Sequence, residues 1–154
     1  MNIFSESADW TYTYEFVNQE GTSVGNMGEM YFRVFPERIE LKWWFIDDYG
    51  DRINLTDDIR RIDGYNYVYE SNYVYESNDV ANIGAIKGLV HVDRNVLYRK
   101  LTMGDTPLNG FEIIVRKGDT ATINGIMYYE NTMVKSWNGF MKKKNTRKAG
   151  TGLL

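Results

Sequence analysis

Along most of this chain apolar and polar residues alternate one for one. Residues 10–16 read Trp-Thr-Tyr-Thr-Tyr-Glu-Phe, so every ring falls on one face of an extended segment and every polar group on the other. A period of two marks a half-buried β-strand. The pattern predicts strands over 10–17, 29–35, 39–47, 52–62, 65–76, 85–93, 96–103, 111–116, 120–130 and 133–143, with Asp57-Asp58 interrupting the fourth. Residues 18–28, polar and glycine-rich, read as a mobile loop. Turns are expected at 36–38, 48–51, 94–95, 104–107 and 117–119. Asp63-Gly64 reads as a two-residue hairpin turn, because both residue types tolerate the positive φ it needs. The single candidate helical turn is 78–82.

Many short strands joined by Gly, Asn and Asp turns, almost without helix, mean a sandwich or a barrel. Consecutive hairpin-like links favour up-and-down order. A ring-rich face opposite a charged one (Glu15, Lys42, Glu70, Glu76) suits closure, which also removes exposed sheet edges. The expected fold is therefore all-β, an antiparallel up-and-down β-barrel of about eight to ten strands. Residues 1–143 form a single barrel domain, and 144–154, with Lys144, Arg147 and Lys148, a basic flexible C-terminal tail.

The hexapeptide Tyr-Val-Tyr-Glu-Ser-Asn occurs twice in succession, at 67–72 and 73–78. Six is even, so the duplication keeps the facing of a strand where an odd insertion would reverse it. Tyr65, Tyr67, Tyr69, Tyr73 and Tyr75 fit one face of a long strand; a loop insertion or an extended hairpin is the alternative.

Composition narrows the chemistry. The chain of 154 residues has no cysteine, which removes disulfides and thiolate chemistry. A net charge of −3 gives no global field for duplex nucleic acid or an anionic membrane. No apolar run reaches the length of about 20 residues that spans a bilayer, and the N-terminus lacks the order of a signal peptide, so a cytoplasmic protein is expected. His91 is the only histidine, which leaves little for a histidine-based triad or zinc site. Gly21 to Gly25 lacks the lysine of a P-loop, and Asp47, Asp48 and Asp51 read as turn formers rather than calcium ligands. A carboxylate pair for glycoside hydrolysis stays open, since separation in space decides it. No catalytic residue, metal set or cofactor is assigned.

Aromatic residues make up 15% of the chain, with 12 Tyr and 4 Trp. Such side chains suit a cavity that is partly dry and partly hydrogen-bonding, although strands favour aromatics in any case. Two arginines sit among apolar residues: Arg99 shares a face with Leu97, Leu101 and Met103, and Arg33 lies between Tyr31 and Phe35. An inward arginine needs a carboxylate or a bound anion; the alternative turns Val96 and Tyr98 inward and leaves Arg99 in water. Trp43 and Trp44 are adjacent, so one of them lies outside, at a rim or under a partner.

The order of pieces resembles a known family. Trp10, Tyr12 and Tyr14 open the first strand. A Tyr-Val-Tyr-Glu strand, Lys-Gly-x-Val at 87–90, Ile-Asn-Gly-Ile-Met-Tyr-Tyr at 123–129 and a closing strand with Gly139-Phe140 follow. This arrangement is similar to the lipocalin-like β-barrel that serves as sensor of the two-transmembrane effectors in bacterial CBASS antiphage defence. The resemblance implies a cyclic nucleotide bound in the barrel, with membrane helices belonging to a longer effector at the inner membrane.

The expectation is a non-enzymatic ligand-binding barrel for a small anionic ligand, with a cyclic nucleotide suspected. The ligand-binding candidates are Tyr12, Tyr14, Arg33, Trp43, Tyr67, Tyr69, Arg99 and Trp137. The alternative is a protein-interaction barrel with a packed interior, working through its surface and open to homo-oligomer formation.

Overall fold

The computed structural model describes residues 1–47, 49–78 and 81–145, the side chains of 81, 83 and 84 excepted. Each alternating segment is a strand: β1 (Ala8–Asn18), β2 (Ser23–Val34), β3 (Arg38–Ile46), β4 (Arg52–Arg61), β5 (Asn66–Tyr75), β6 (Ala81–Asp93), β7 (Val96–Met103), β8 (Leu108–Lys117), β9 (Thr120–Tyr129) and β10 (Thr132–Lys143). Every strand pairs antiparallel with its neighbours in sequence, and β1 closes against β10. The result is a ten-stranded up-and-down barrel. Among the described residues no helix is long and apolar enough to cross a membrane.

Four local expectations change. Much of the expected loop 18–28 is strand: β2 begins at Ser23, with Gly25 opposite Glu15 and Gly28 opposite Tyr12. Gly28 marks a close approach, since a Cβ there would overlap the Tyr12 ring. Asp57-Asp58 does not interrupt β4. Asp57 points inward and is 1% exposed, while Asp58 points outward to Arg60 at 3.0 Å. Asp63-Gly64 sits in a longer 62–65 link, where the Asp63 carboxylate accepts the backbone N–H groups of Tyr65 and Asn66; Gly64 takes no positive φ. Of the expected helical turn, Asp79 and Val80 lie outside the described residues, as does Asp48, and β6 runs from Ala81.

Alternation then fills the barrel in two different ways. At one end the links at 35–37, 62–65, 94–95 and 118–119 surround residues 1–7, which fold across the opening. Ile3 and Phe4 are buried there against Trp10, Phe32, Ile39, Leu97 and Met141. The Phe4 ring lies 6.0 Å from Phe32 and 5.4 Å from Tyr67. Arg116, 1% exposed, ties down this plug: Nε donates to the Gly118 carbonyl, Nη1 to that of Asn2, and Nη2 to Glu6 at 2.6 Å. Lys143 also donates to Glu6 at 2.8 Å. These two cations hold the Glu6 carboxyl below its ordinary pKa of 4.5.

Lys144, assigned by sequence to the tail, is held instead: its backbone N–H donates to the Asp9 carbonyl at 2.8 Å and its ammonium pairs with Glu29. Residues 146–154 of the expected tail lie outside the described residues.

Candidate ligand-binding site

Inward positions on the other half of the strands do not meet in the middle. They enclose a cavity of about 480 Å³, within the roughly 300–1,000 Å³ range of small-molecule sites. Its walls are rings and aliphatic chains: Tyr12, Tyr14 and Phe16 on β1, Phe45 on β3, Tyr73 and Tyr75 on β5, Leu101 on β7, Met127 on β9. A second void of about 20 Å³ lies below, against Ile3 and Phe4.

The rings lie along the wall because their own hydrogen bonds and neighbours hold them there. The β2–β3 ladder pairs only 29–34 with 39–44. Beyond it, the Tyr14 hydroxyl accepts the Ile46 N–H and donates to the Ile46 carbonyl, both at 2.7 Å. The Tyr12 hydroxyl donates to the Trp44 carbonyl at 2.9 Å. Both hydroxyls thus replace missing strand pairing, and the faces of the rings are left for the cavity. Trp137 lies across Gly125, its partner on β9, where any Cβ would overlap the indole. Tyr69 lies across Gly88 of β6 in the same way.

The floor of the cavity is polar. Arg99, on β7, faces Glu112 directly across the β7–β8 ladder, with Nη2 2.7 Å from a Glu112 oxygen. Its Nη1 lies 3.7 Å from Asp57. Glu112 accepts the Trp137 indole N–H at 2.7 Å. Asp57 accepts the Ser71 hydroxyl at 2.5 Å and the Trp43 indole N–H at 3.1 Å. The Arg99 guanidinium also stands 5.3 Å over the Tyr69 ring, a cation–π contact. One cation is therefore shared by two carboxylates.

Burial shapes the protonation of this cluster. It pushes the Asp57 carboxyl above its ordinary pKa of 3.8, against the opposing pull of Arg99, Ser71 and Trp43. It works against the charge on Arg99, but Glu112, Tyr69 and Asp57 outweigh it and keep the guanidinium protonated. Burial also raises the Tyr69 hydroxyl well above 10.0, so it remains an O–H donor. Two donors here have no hydrogen-bond partner, the Tyr69 hydroxyl and Arg99 Nε. An unmet buried donor costs about 1–3 kcal/mol.

Six of the eight candidates line the cavity: Tyr12, Tyr14, Trp43, Tyr69, Arg99 and Trp137. Two do not. Arg33 points outward, its side chain 52% exposed, and pairs with Asp9 at 2.8 Å. The face it shares with Tyr31 and Phe35 is the outer one: Tyr31 donates to Glu29 and Phe35 is exposed. Tyr67 turns inward at the plugged end, against Phe4. Tyr65, expected on the same face, is exposed in the 62–65 link. Arg99 resolves inward with Leu97 and Leu101, while Tyr98 is exposed. Of the tryptophan pair, Trp44 faces outward beneath Arg52, whose guanidinium is 4.3 Å from its ring.

Asp57, Ser71 and Glu112 are the residues that sequence reasoning missed. Their signal was present. Asp57 continues the inward series Ile53, Leu55, Ile59, and Glu112 the series Gly110, Ile114.

No known protein family and no curated protein matches this sequence. Among solved structures the chain is similar to Rv2717c from M. tuberculosis, with a TM-score of 0.63 and 10% identity over 90% of this chain and 92% of that one. It is more distantly similar to EF1p2_mFAP2b bound to DFHBI (TM-score 0.44, 10% identity, 90% and 93% covered). A further likeness is to the ywiB protein from Bacillus subtilis (TM-score 0.36, 12% identity, 90% and 94% covered). At 10% identity the first of these speaks to fold alone, and it supports the antiparallel barrel.

Proposed function

We propose that this protein is a non-enzymatic binding barrel whose open half takes one flat, largely apolar small molecule. The observation that carries this reading is the asymmetry of the interior: the same strands leave only about 20 Å³ at the plugged end and about 480 Å³ at the other. Aromatic faces supply dispersion and stacking there, and the floor supplies orientation. Binding is favoured over catalysis because the Tyr12 and Tyr14 hydroxyls serve the backbone and both floor carboxylates serve Arg99 and indole N–H groups. General acid–base work needs such a group within reach of a substrate proton.

A cyclic nucleotide is the narrower form of this reading. Supporting it, stacked bases gain roughly 1–3 kcal/mol each on aromatic side chains. The shared charge of Arg99 directs the phosphates elsewhere, to the rim, where Lys135 lies among the lining residues. Thermal-shift measurements on the intact chain with cyclic dinucleotides and neutral planar aromatics test both forms. A ligand at about 100 times its dissociation constant stabilises by about 2.7 kcal/mol. Absence of any shift across both sets contradicts the binding reading; a shift with the neutral set alone contradicts the nucleotide.

A surface reading has its own observation. Outside the barrel, Tyr65, His91, Tyr98 and Phe111 form a row of rings with centroids 6.3–6.4 Å apart. Exposed aromatic clusters mark contact sites. Concentration-dependent self-association in sedimentation, lost in Tyr98→Ser, is the result expected of that reading.

A further inference from the structure

The floor of the cavity selects the chemistry of what enters it. We infer that the ligand's buried end is an uncharged hydrogen-bond acceptor, a carbonyl or ring nitrogen, taken by the Tyr69 hydroxyl and Arg99 Nε. This rests on the binding reading above and narrows it to a ligand class.

The acceptors of the floor are already occupied. Asp57 holds Ser71 and Trp43, and Glu112 holds Trp137 and the Arg99 Nη2. Three buried floor atoms have no hydrogen-bond partner. One is Glu112 Oε1, which still pairs with Arg99 Nη2 at 2.7 Å. The others are two donors, the Tyr69 hydroxyl and Arg99 Nε, on residues that line both the cavity and the small void beneath it. Tyr69 is 4% exposed, and its ring is fixed over Gly88, so the hydroxyl cannot swing out to water without leaving that seat. Buried donors of this kind in folded proteins meet an acceptor, from protein, water or ligand. Tyr12 and Tyr14 on β1, which also line the cavity, show the contrast, since their hydroxyls are spent on the β3 backbone.

Charge sets the second half of the inference. One guanidinium stands against two carboxylates, so no positive charge is left over, whether or not Asp57 carries a proton. An anionic end would arrive beside Glu112 in a water-poor pocket, where like charges interact strongly. A neutral carbonyl or ring nitrogen accepts from such donors and brings no charge.

Three probes on one ring system separate the possibilities: 2-acetonaphthone (a neutral acceptor), 2-naphthoate (an anion) and 2-ethylnaphthalene (no acceptor). Dissociation constants for the intact protein come from ligand-observed NMR and calorimetry. The expected order puts 2-acetonaphthone about tenfold tighter than both others, the equivalent of one net hydrogen bond. Tyr69→Phe keeps the ring on Gly88 and is expected to cut the advantage over 2-ethylnaphthalene by at least half while leaving 2-ethylnaphthalene binding unchanged. Equal binding of all three probes, tighter binding of 2-naphthoate, or an advantage undiminished in Tyr69→Phe overturns the inference and leaves the binding reading standing. The last outcome would assign the two donors to a water in the small void beneath. Failure of every probe, 2-ethylnaphthalene included, overturns both.

Discussion

Arg116 and Arg99 both point into the barrel from adjacent strands, yet their surroundings differ. At the plugged end Arg116 donates to two carbonyls and Glu6 and lies over the Trp10 ring at 5.1 Å. All of it is consumed in closing the barrel. In the open half Arg99 bridges two carboxylates, and its Nε is left without a partner. An inward arginine therefore takes one of two forms here. One is a fastener whose donors are met by backbone and Glu6, and the other neutralises buried acids and keeps one donor without a partner.

Removing each guanidinium breaks that comparison most directly. Arg99→Met strands Asp57 and Glu112 without their cation, and is expected to cost about 3–5 kcal/mol of unfolding free energy. Arg116→Met costs less, about 1–3 kcal/mol, because Glu6 keeps Lys143 and reaches water. Urea unfolding of the two variants checks the order; a larger loss for Arg116→Met contradicts it. Filling the open half sharpens the contrast without touching either arginine. Met127→Trp is expected to leave stability within about 1.5 kcal/mol of the parent and to remove probe binding, as titration calorimetry would show.

The smallest effects lie in pH. Glu6 has a folded pKa below 4.5, so its contribution is present above that value and is lost as pH falls through the folded one. Asp57 has a folded pKa above 3.8, so stability is greatest below that value and declines as pH rises through the folded pKa. The plug and the floor thus have opposite signs. Unfolding midpoints over about pH 3 to 7 are expected to show Glu6→Gln flattening the acid side and Asp57→Asn removing the decline on the other. Parallel curves for Asp57→Asn and the parent contradict the buried-acid assignment.

Strand content, antiparallel order and closure were legible because alternation survives in every strand from Trp10 to Lys143. The arginines were less so. Arg33 and Arg99 both sit between apolar residues at a spacing of two, and nothing local distinguishes them. Neighbouring strands do, since Asp57 and Glu112 face Arg99 whereas Asp9, on the outer face of β1, meets Arg33. Gly28 misled for a related reason. In sequence it extends a polar loop, and in the barrel it is the bare backbone on which the Tyr12 ring rests. Such a role depends on a partner 16 residues away in sequence but adjacent in register.

The doubled hexapeptide has a consequence of its own. Ser71 of the first copy donates to Asp57 at 2.5 Å, and Ser77 of the second donates to Asp51 at 2.5 Å. Tyr69 closes the base of the cup, and its counterpart Tyr75 lines the upper wall. A tandem copying event of even length thus offers a barrel new wall in ready-made form, with the inward facing of its tyrosines kept. Deepening a pocket in this architecture asks for repetition of an existing segment, not for invention of a new one.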